Sequence, residues 1–278
     1  FMLMGSSSSA TLARDTLFSA IMIICNGVVG LCLLAGGWRH KEQVFRVQGV
    51  GPALAALLAL STLSLVLPTF TTSSPEGTYT RSQLLFVAVT SLALWSVFTF
   101  FQTIRHRDYF LPEDASENSQ THAAPPSTLQ AGLSLLALLA CLVAVVGLAK
   151  QLSPTIEATL RDWGAPATLV GIVIALLVLL PETLAALRAA RANRLQTSLN
   201  LALGSALASI GLTIPAVAVA AVWLGFPLTL GLASKDLVLL VLTFMVGSIT
   251  LAHGRTSMMQ GAVHLVLFAS FLFLALVP

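Results

Sequence analysis

The sequence predicts an all-α polytopic membrane protein of eight transmembrane helices, on three observations: its excess of apolar residues, the length of its apolar runs, and the sidedness of its basic residues. Of 278 residues, 56% are apolar and 9% charged, with mean hydropathy +0.91, whereas a soluble domain has roughly 25% charged residues. With 14 Lys and Arg and 11 Asp and Glu, the chain has too few charges to solvate a water-soluble surface, so most of that surface faces lipid. The pI near 9.0 comes from a net charge of +3 on scattered residues. Such scatter makes no phosphate-tracking patch, which excludes nucleic acid as a partner. Three cysteines build no disulfide framework, because Cys25 and Cys32 stand about 10 Å apart along one helix, too far to bridge.

The apolar runs A to H fall near Leu17–Gly37, Val50–Phe70, Gln83–Ile104, Leu129–Ala149, Ala165–Leu187, Thr197–Leu224, Leu237–Ala252 and Met259–Val277. Each approaches the roughly 20 residues that cross a bilayer. Lipid tolerates helices or closed barrels, since backbone groups must bond internally, and the runs show no period-2 alternation. Alternate connections hold Arg39, Lys41 and Arg46, then Arg105 and Arg107, then Arg188, Arg191 and Arg194, then Arg255, nine in all; the other side has Arg14, Arg81, Lys150, Arg161 and Lys235, five in all. The positive-inside rule makes the richer side cytoplasmic and places both ends of the chain outside the cytoplasm. Trp38 and Trp223 fall at helix ends, as interfacial anchors do, whereas Trp95 falls mid-span. Residues 105–128 form a polar cytoplasmic linker with Pro112, Pro125, Pro126, Glu113, Asp114 and Glu117, whose acids match no Ca²⁺-loop spacing.

Ten of the eleven acidic residues lie in connections or at helix ends, and Glu182 alone follows a continuous apolar run, LVGIVIALLVLL. A carboxylate at membrane depth costs at least about 2.5 kcal/mol, so it marks an ion pathway unless it snorkels or pairs with Arg188. Pro181 beside it brings no amide for the Leu177 carbonyl and opposes a straight helix, as in the broken helices of secondary transporters. On run F, Ser198, Ser205, Ser209 and Thr213 fall within a sector of about 100°, a stripe able to face Glu182 or to serve as packing glue. Asn200 and Gly204 stand on the same run. Carboxylate, carbonyl and hydroxyl oxygens together make a hard-oxygen environment suited to Ca²⁺, Na⁺ or protons. Asn26, mid-span in run A, lines a pathway or packs by hydrogen bonds. His253 and His264 have no metal spacing, and no nucleotide-binding or hydrolase motif occurs, so no enzyme and no cofactor is expected.

Residues 181–215, PETLAALRAARANRLQTSLNLALGSALASIGLTIP, resemble the second alpha-repeat of the cation/calcium exchanger superfamily, with Glu182, Asn193, Gly204, Ser205 and Pro215 at the family's positions. TLARDTLFSAIMI and HGRTSMMQGAVHLVLF look like its bacterial calcium/proton antiporters. The chain departs from eukaryotic relatives where Leu179 replaces an Asn, Thr183 a His, and Ala208 a Gln. The resemblance implies an inverted-repeat exchanger fold, with 1–104 a partial first repeat of three helices and 129–278 a complete second repeat. It also implies that the first repeat's carboxylate lies on helices missing upstream of FMLMGSSSSA, so that the chain is a truncated member. Glu182 and Ser205 are then the expected cation ligands, with Pro181, Asn200, Gly204, Ser209, Thr213 and Asn26 as further pathway candidates. The expected function is secondary active antiport, exporting Ca²⁺, or else Na⁺ or K⁺, against protons by alternating access. The alternative is a non-transporting membrane remnant or partner subunit. Beyond lipid and the transported ions the sequence points to no partner, and it leaves a homo-oligomer open.

Overall fold

A computed structural model describes residues 9–75, 77–111, 127–162, 168–225 and 228–277. The first run folds as α1 (Ser9–Met22), a π-helical turn (Ile23–Val28) and α2 (Val29–His40), followed by β1 (Glu42–Val44). The second is α3 (Val47–Ser61), a π-turn (Thr62–Val66) and α4 (Leu67–Phe70); the third is α5 (Arg81–Phe100), which runs into a π-turn at Phe101–Arg105. Then come α6 (Thr128–Asp162), α7 (Thr168–Val178), α8 (Leu180–Arg191), α9 (Leu195–Leu224), α10 (Ser234–Leu251), β2 (Arg255–Ser257) and α11 (Met258–Leu276). Among the described residues seven helices are long and apolar enough to cross a membrane, and the bent pair α7 and α8 makes an eighth span. Each falls on one of the eight runs. Run D differs in extent, because α6 continues past Lys150 and Pro154 to a total of 35 residues. At 1.5 Å per residue that is about 52 Å, well beyond the hydrocarbon thickness of about 30 Å, so the helix outlasts its apolar stretch. Most of the polar linker, residues 112–126, and the opening residues 1–8 lie outside the described residues.

Hydrogen bonds sort the connections into two sets. β1 pairs antiparallel with β2, Gln43 opposite Thr256, which ties connection A/B to G/H. Arg46 Nη1 donates to the Asp108 carbonyl at 2.7 Å, which ties A/B to C/D. The Arg46 amide donates to Gln196 Oε1 at 2.7 Å, and Gln43 Nε2 donates to the carbonyl of Ala190 at 2.8 Å and to Asn193 Oδ1 at 3.0 Å, which ties A/B to E/F. All four arginine-rich connections therefore meet on one face. On the other face the amides of Leu230 and Gly231 both donate to the Gly77 carbonyl at 2.9 Å. There too, Arg14 Nη1 reaches the Gly231 carbonyl at 3.1 Å and Lys235 Nζ the Leu274 carbonyl at 3.0 Å. An eight-span chain has this alternation.

The long helix of α1, π-turn and α2 is central. Ile21, Met22, Ile23, Ile24, Cys32 and Leu33 are almost fully buried, and the helix packs against α7, α8, α9 and α11. Its approach to α11 depends on glycine. A Cβ on Gly261 would strike the Leu34 amide and stand 2.8 Å from the Gly30 carbonyl, and one on Gly37 would strike the Met258 amide. Small residues at such crossings let helix backbones touch where lipid supplies no hydrophobic drive between helices. The same reasoning accounts for mid-span Trp95, which stacks over Gly211 of α9, where a Cβ would lie 2.7 Å from that of Trp95. Trp38 and Trp223 are 79% and 86% exposed at their helix ends. Helix starts are marked in the sequence: Thr80 with Gln83 opens α5, and Ser257 with Gln260 opens α11, each as a capping box.

Gly261→Val should destabilise the protein by about 1–3 kcal/mol through overpacking, whereas Gly132→Ala, with open space around it, should be neutral or slightly stabilising. Thermal unfolding in detergent compares the two.

Candidate cation and proton site

Pro181 and Glu182 stand where the fifth run breaks. α7 ends at Val178, α8 begins at Leu180, and the two axes meet at 52°. The break gives α8 a helix start of its own. Proline is tolerated in a first turn because the amides there have no intrahelical acceptor, and a carboxylate is favoured there by the helix dipole. The Leu179 carbonyl at the corner receives the Thr183 amide at 2.9 Å and the Thr183 hydroxyl at 2.6 Å. Thr183 thus caps the corner.

Glu182 is half-buried, and its Oε2 is buried without a hydrogen-bond partner among the described residues. It makes no ion pair with Arg188, since the ion pair among the described residues is Arg14 with Asp15 at 2.8 Å. A buried carboxylate oxygen left without a donor is unfavourable unless a proton or a cation meets it. Beside the break, α1, α7 and α9 enclose a cavity of about 320 Å³. Its polar lining is Thr16, Ser209 and Thr213, and Val178 and Leu179 bring its wall to within one turn of Glu182.

The predicted residues distribute unevenly around this cavity. Ser209 and Thr213 line it. Ser205, one turn earlier, is half-buried outside its lining, and Gly204 faces open space. Ser198, at the start of the stripe, lies buried against Cys32 of α2, so the stripe faces the central helix and α7 rather than Glu182 alone. Pro181 lines a different cleft, about 190 Å³, against Leu148 and Leu152 of α6. Asn200 lies outside the cluster: its Nδ2 donates to the Phe110 carbonyl at 2.6 Å and its Oδ1 accepts from Gln196 at 2.9 Å, so it anchors the start of the linker. Asn26 is also elsewhere, fully buried and bonded to Thr243 at 2.8 Å and His264 at 3.1 Å. Asn193 of the alpha-repeat motif has φ 59° and accepts from Gln43; its place in the motif follows from the left-handed turn between α8 and α9, which Asn enters at little cost. Sequence reasoning missed Thr16, a hydroxyl directly after an Arg-Asp pair inside α1, which no periodic pattern marks. Among the described residues no group of three or more His, Cys, Asp and Glu gathers as a metal-binding cluster.

A family described as sodium/calcium exchanger protein matches residues 1–104 and 133–277. The protein y4hA of Sinorhizobium fredii is 50% identical over the whole of this chain and 75% of its own length. The sodium-potassium/proton antiporter ChaA of Escherichia coli is 36% identical over 97% of this chain and 74% of its own. In fold, the chain is similar to the crystal structure of the selenium-substituted Ca²⁺/H⁺ antiporter protein YfkE, with a TM-score of 0.72 and 15% identity over 99% of this chain and 79% of that one. The candidate spans, the helix broken beside Glu182 and these matches agree: the chain is a multi-pass membrane protein of the sodium/calcium exchanger protein family, a family of transporters and not of enzymes.

Proposed function

We propose that the protein is a secondary active cation/proton antiporter in which Glu182 binds the proton and the cation in turn. The observation that supports this reading most is the unpartnered, buried Oε2 of Glu182 at a 52° helix break, one turn from a cavity lined with hydroxyls. A proton neutralises that oxygen; a hard cation does the same while drawing on hydroxyl and carbonyl oxygens nearby. Because both cargoes satisfy one group, loading one expels the other. Ser209 and Thr213 are the hydroxyls best placed to accompany the cation toward the carboxylate, and Ser205, half-buried a turn away, is the next. The antiporter name of the Escherichia coli relative supports Na⁺ and K⁺ as cargo, and that of YfkE supports Ca²⁺. We assign the arginine-rich face to the cytoplasm, both ends of the chain to the periplasmic side and the protein to the bacterial inner membrane, so that inward proton flow drives cation export. Helices α1 to α5 act in this scheme as part of a first repeat, and α6 to α11 as the second. The remnant reading receives no support from an intact break with its carboxylate.

Glu182→Gln in the full-length protein should abolish cation-dependent proton movement in everted vesicles without loss of expression; retained exchange would refute the role. Ser209→Ala and Thr213→Val should each weaken the apparent cation affinity by about threefold to tenfold, the worth of one oxygen contact. Titrating Ca²⁺, Na⁺ and K⁺ separately against the dye response measures that loss and identifies the cargo.

A further inference from the structure

His264 lies in the second turn of α11 and is 1% exposed, and both its ring nitrogens are bonded. Its Nδ1 meets Asn26 Oδ1 at 3.1 Å and its Nε2 meets Thr250 Oγ1 at 3.1 Å. The network fixes the tautomer. Thr243 donates its hydroxyl to the Leu239 carbonyl at 2.7 Å, so it accepts from Asn26 Nδ2 at 2.8 Å. Asn26 then has only its oxygen to offer the ring, and Nδ1 must bear the hydrogen. Nε2 of the neutral ring is left as an acceptor for the Thr250 hydroxyl. Should Nε2 take up a proton it becomes a donor, and Thr250 need only turn its hydroxyl away.

Two features connect this ring to the rest of the molecule. Thr250 also lines a polar cavity of about 280 Å³, whose other walls include Glu42, His253, Arg255, Ser257 and Gln260. That cavity sits between connections A/B and G/H on the arginine-rich face, so one hydroxyl separates the buried imidazole from a chamber with its own titratable groups. On the opposite side the ring touches the π-turn of the central helix. The Val29 amide bonds to the carbonyls of Ile24 and Asn26, passing over that of Cys25, and the Cys25 carbonyl lies against the His264 ring. The titratable groups on the Thr250 side of the ring are those beyond that hydroxyl, namely Glu42, His253 and Arg255; α10 presents Thr250 to the ring, and α2 presents Gly30.

We propose that His264 is a proton-binding site separate from Glu182, loaded from the arginine-rich face through Thr250. Asn26, with oxygen and nitrogen both committed, holds the Nδ1–H side of the ring in either state. An intramembrane ionisable residue with a route to water has the makings of a proton site, and π-turns accompany functional sites in helices. Its transport readout rests on the antiport reading; its spectroscopic readout does not.

The test uses full-length protein labelled with ¹⁵N-histidine, the resonance being assigned by its absence in His264→Gln. We expect the His264 signal to show the neutral Nδ1–H tautomer and to convert to the protonated ring on acidification, in Glu182→Gln as in the unmodified protein. Thr250→Val should move the midpoint by about half to one pH unit, the worth of one hydrogen bond. A ring that stays neutral down to the acid limit of folding would overturn the proposal, and an unmoved midpoint would overturn the route through Thr250. In everted vesicles His264→Gln should remove one limb of the pH profile while the maximal rate persists; a superimposable profile would overturn the coupling to transport. Should no cation move protons in any of these proteins, the antiport reading fails while the spectroscopic arm still decides the role of His264.

Discussion

A peptide group in the bilayer has no water to turn to, so each place where a helix departs from regular bonding must be answered by a side chain or another backbone. This chain departs at several such places, and the answers define its architecture. The Leu179 carbonyl at the break before Glu182 is taken by Thr183. At the π-turn between α3 and α4 the Leu63 carbonyl receives the Tyr79 hydroxyl at 2.6 Å; burial pushes that phenol up to about 12, so it remains a donor throughout the physiological range. At the π-turn of the central helix the Cys25 carbonyl, passed over by the Val29 amide, lies against the His264 ring.

The central helix is held by two different means along its length. Inside the membrane it is backbone contact, because Gly30, Gly37 and Gly261 remove the side chains that would keep α2 and α11 apart. At the arginine-rich face it is hydrogen bonding, because Gln43 and Arg46 reach the E/F and C/D connections and β1 pairs with β2. The broken span packs against this fixed axis.

The candidate site was legible in part. Glu182 stands out because an acid inside an apolar run has no inexpensive explanation, and Pro181 announces the bend because its chemistry forbids a straight helix. The hydroxyl stripe on α9 is a matter of angular spacing, and spacing shows which residues share a face without showing what that face meets. Hence Ser198 was grouped with Ser209, although one lies against Cys32 and the other lines the cavity with Thr16. Asn200 looked like its neighbours on the same run, yet the Phe110 carbonyl, 90 residues away, claims its amide.

Composition and run length by themselves determined that the chain is helical and that its apolar runs are candidate membrane spans, because those properties depend on the transfer of each residue into lipid and on backbone bonds made within a segment. The sidedness of the connections was likewise written in the arginines. Only tertiary structure decided that Gln43 belongs to the E/F turn, that Trp95 rests on Gly211, and that Asn26 and His264, 238 residues apart, share one hydrogen bond. A helix satisfies its backbone locally and so declares itself in the sequence, whereas a buried side chain finds its partner wherever packing brings one, and no local pattern records that.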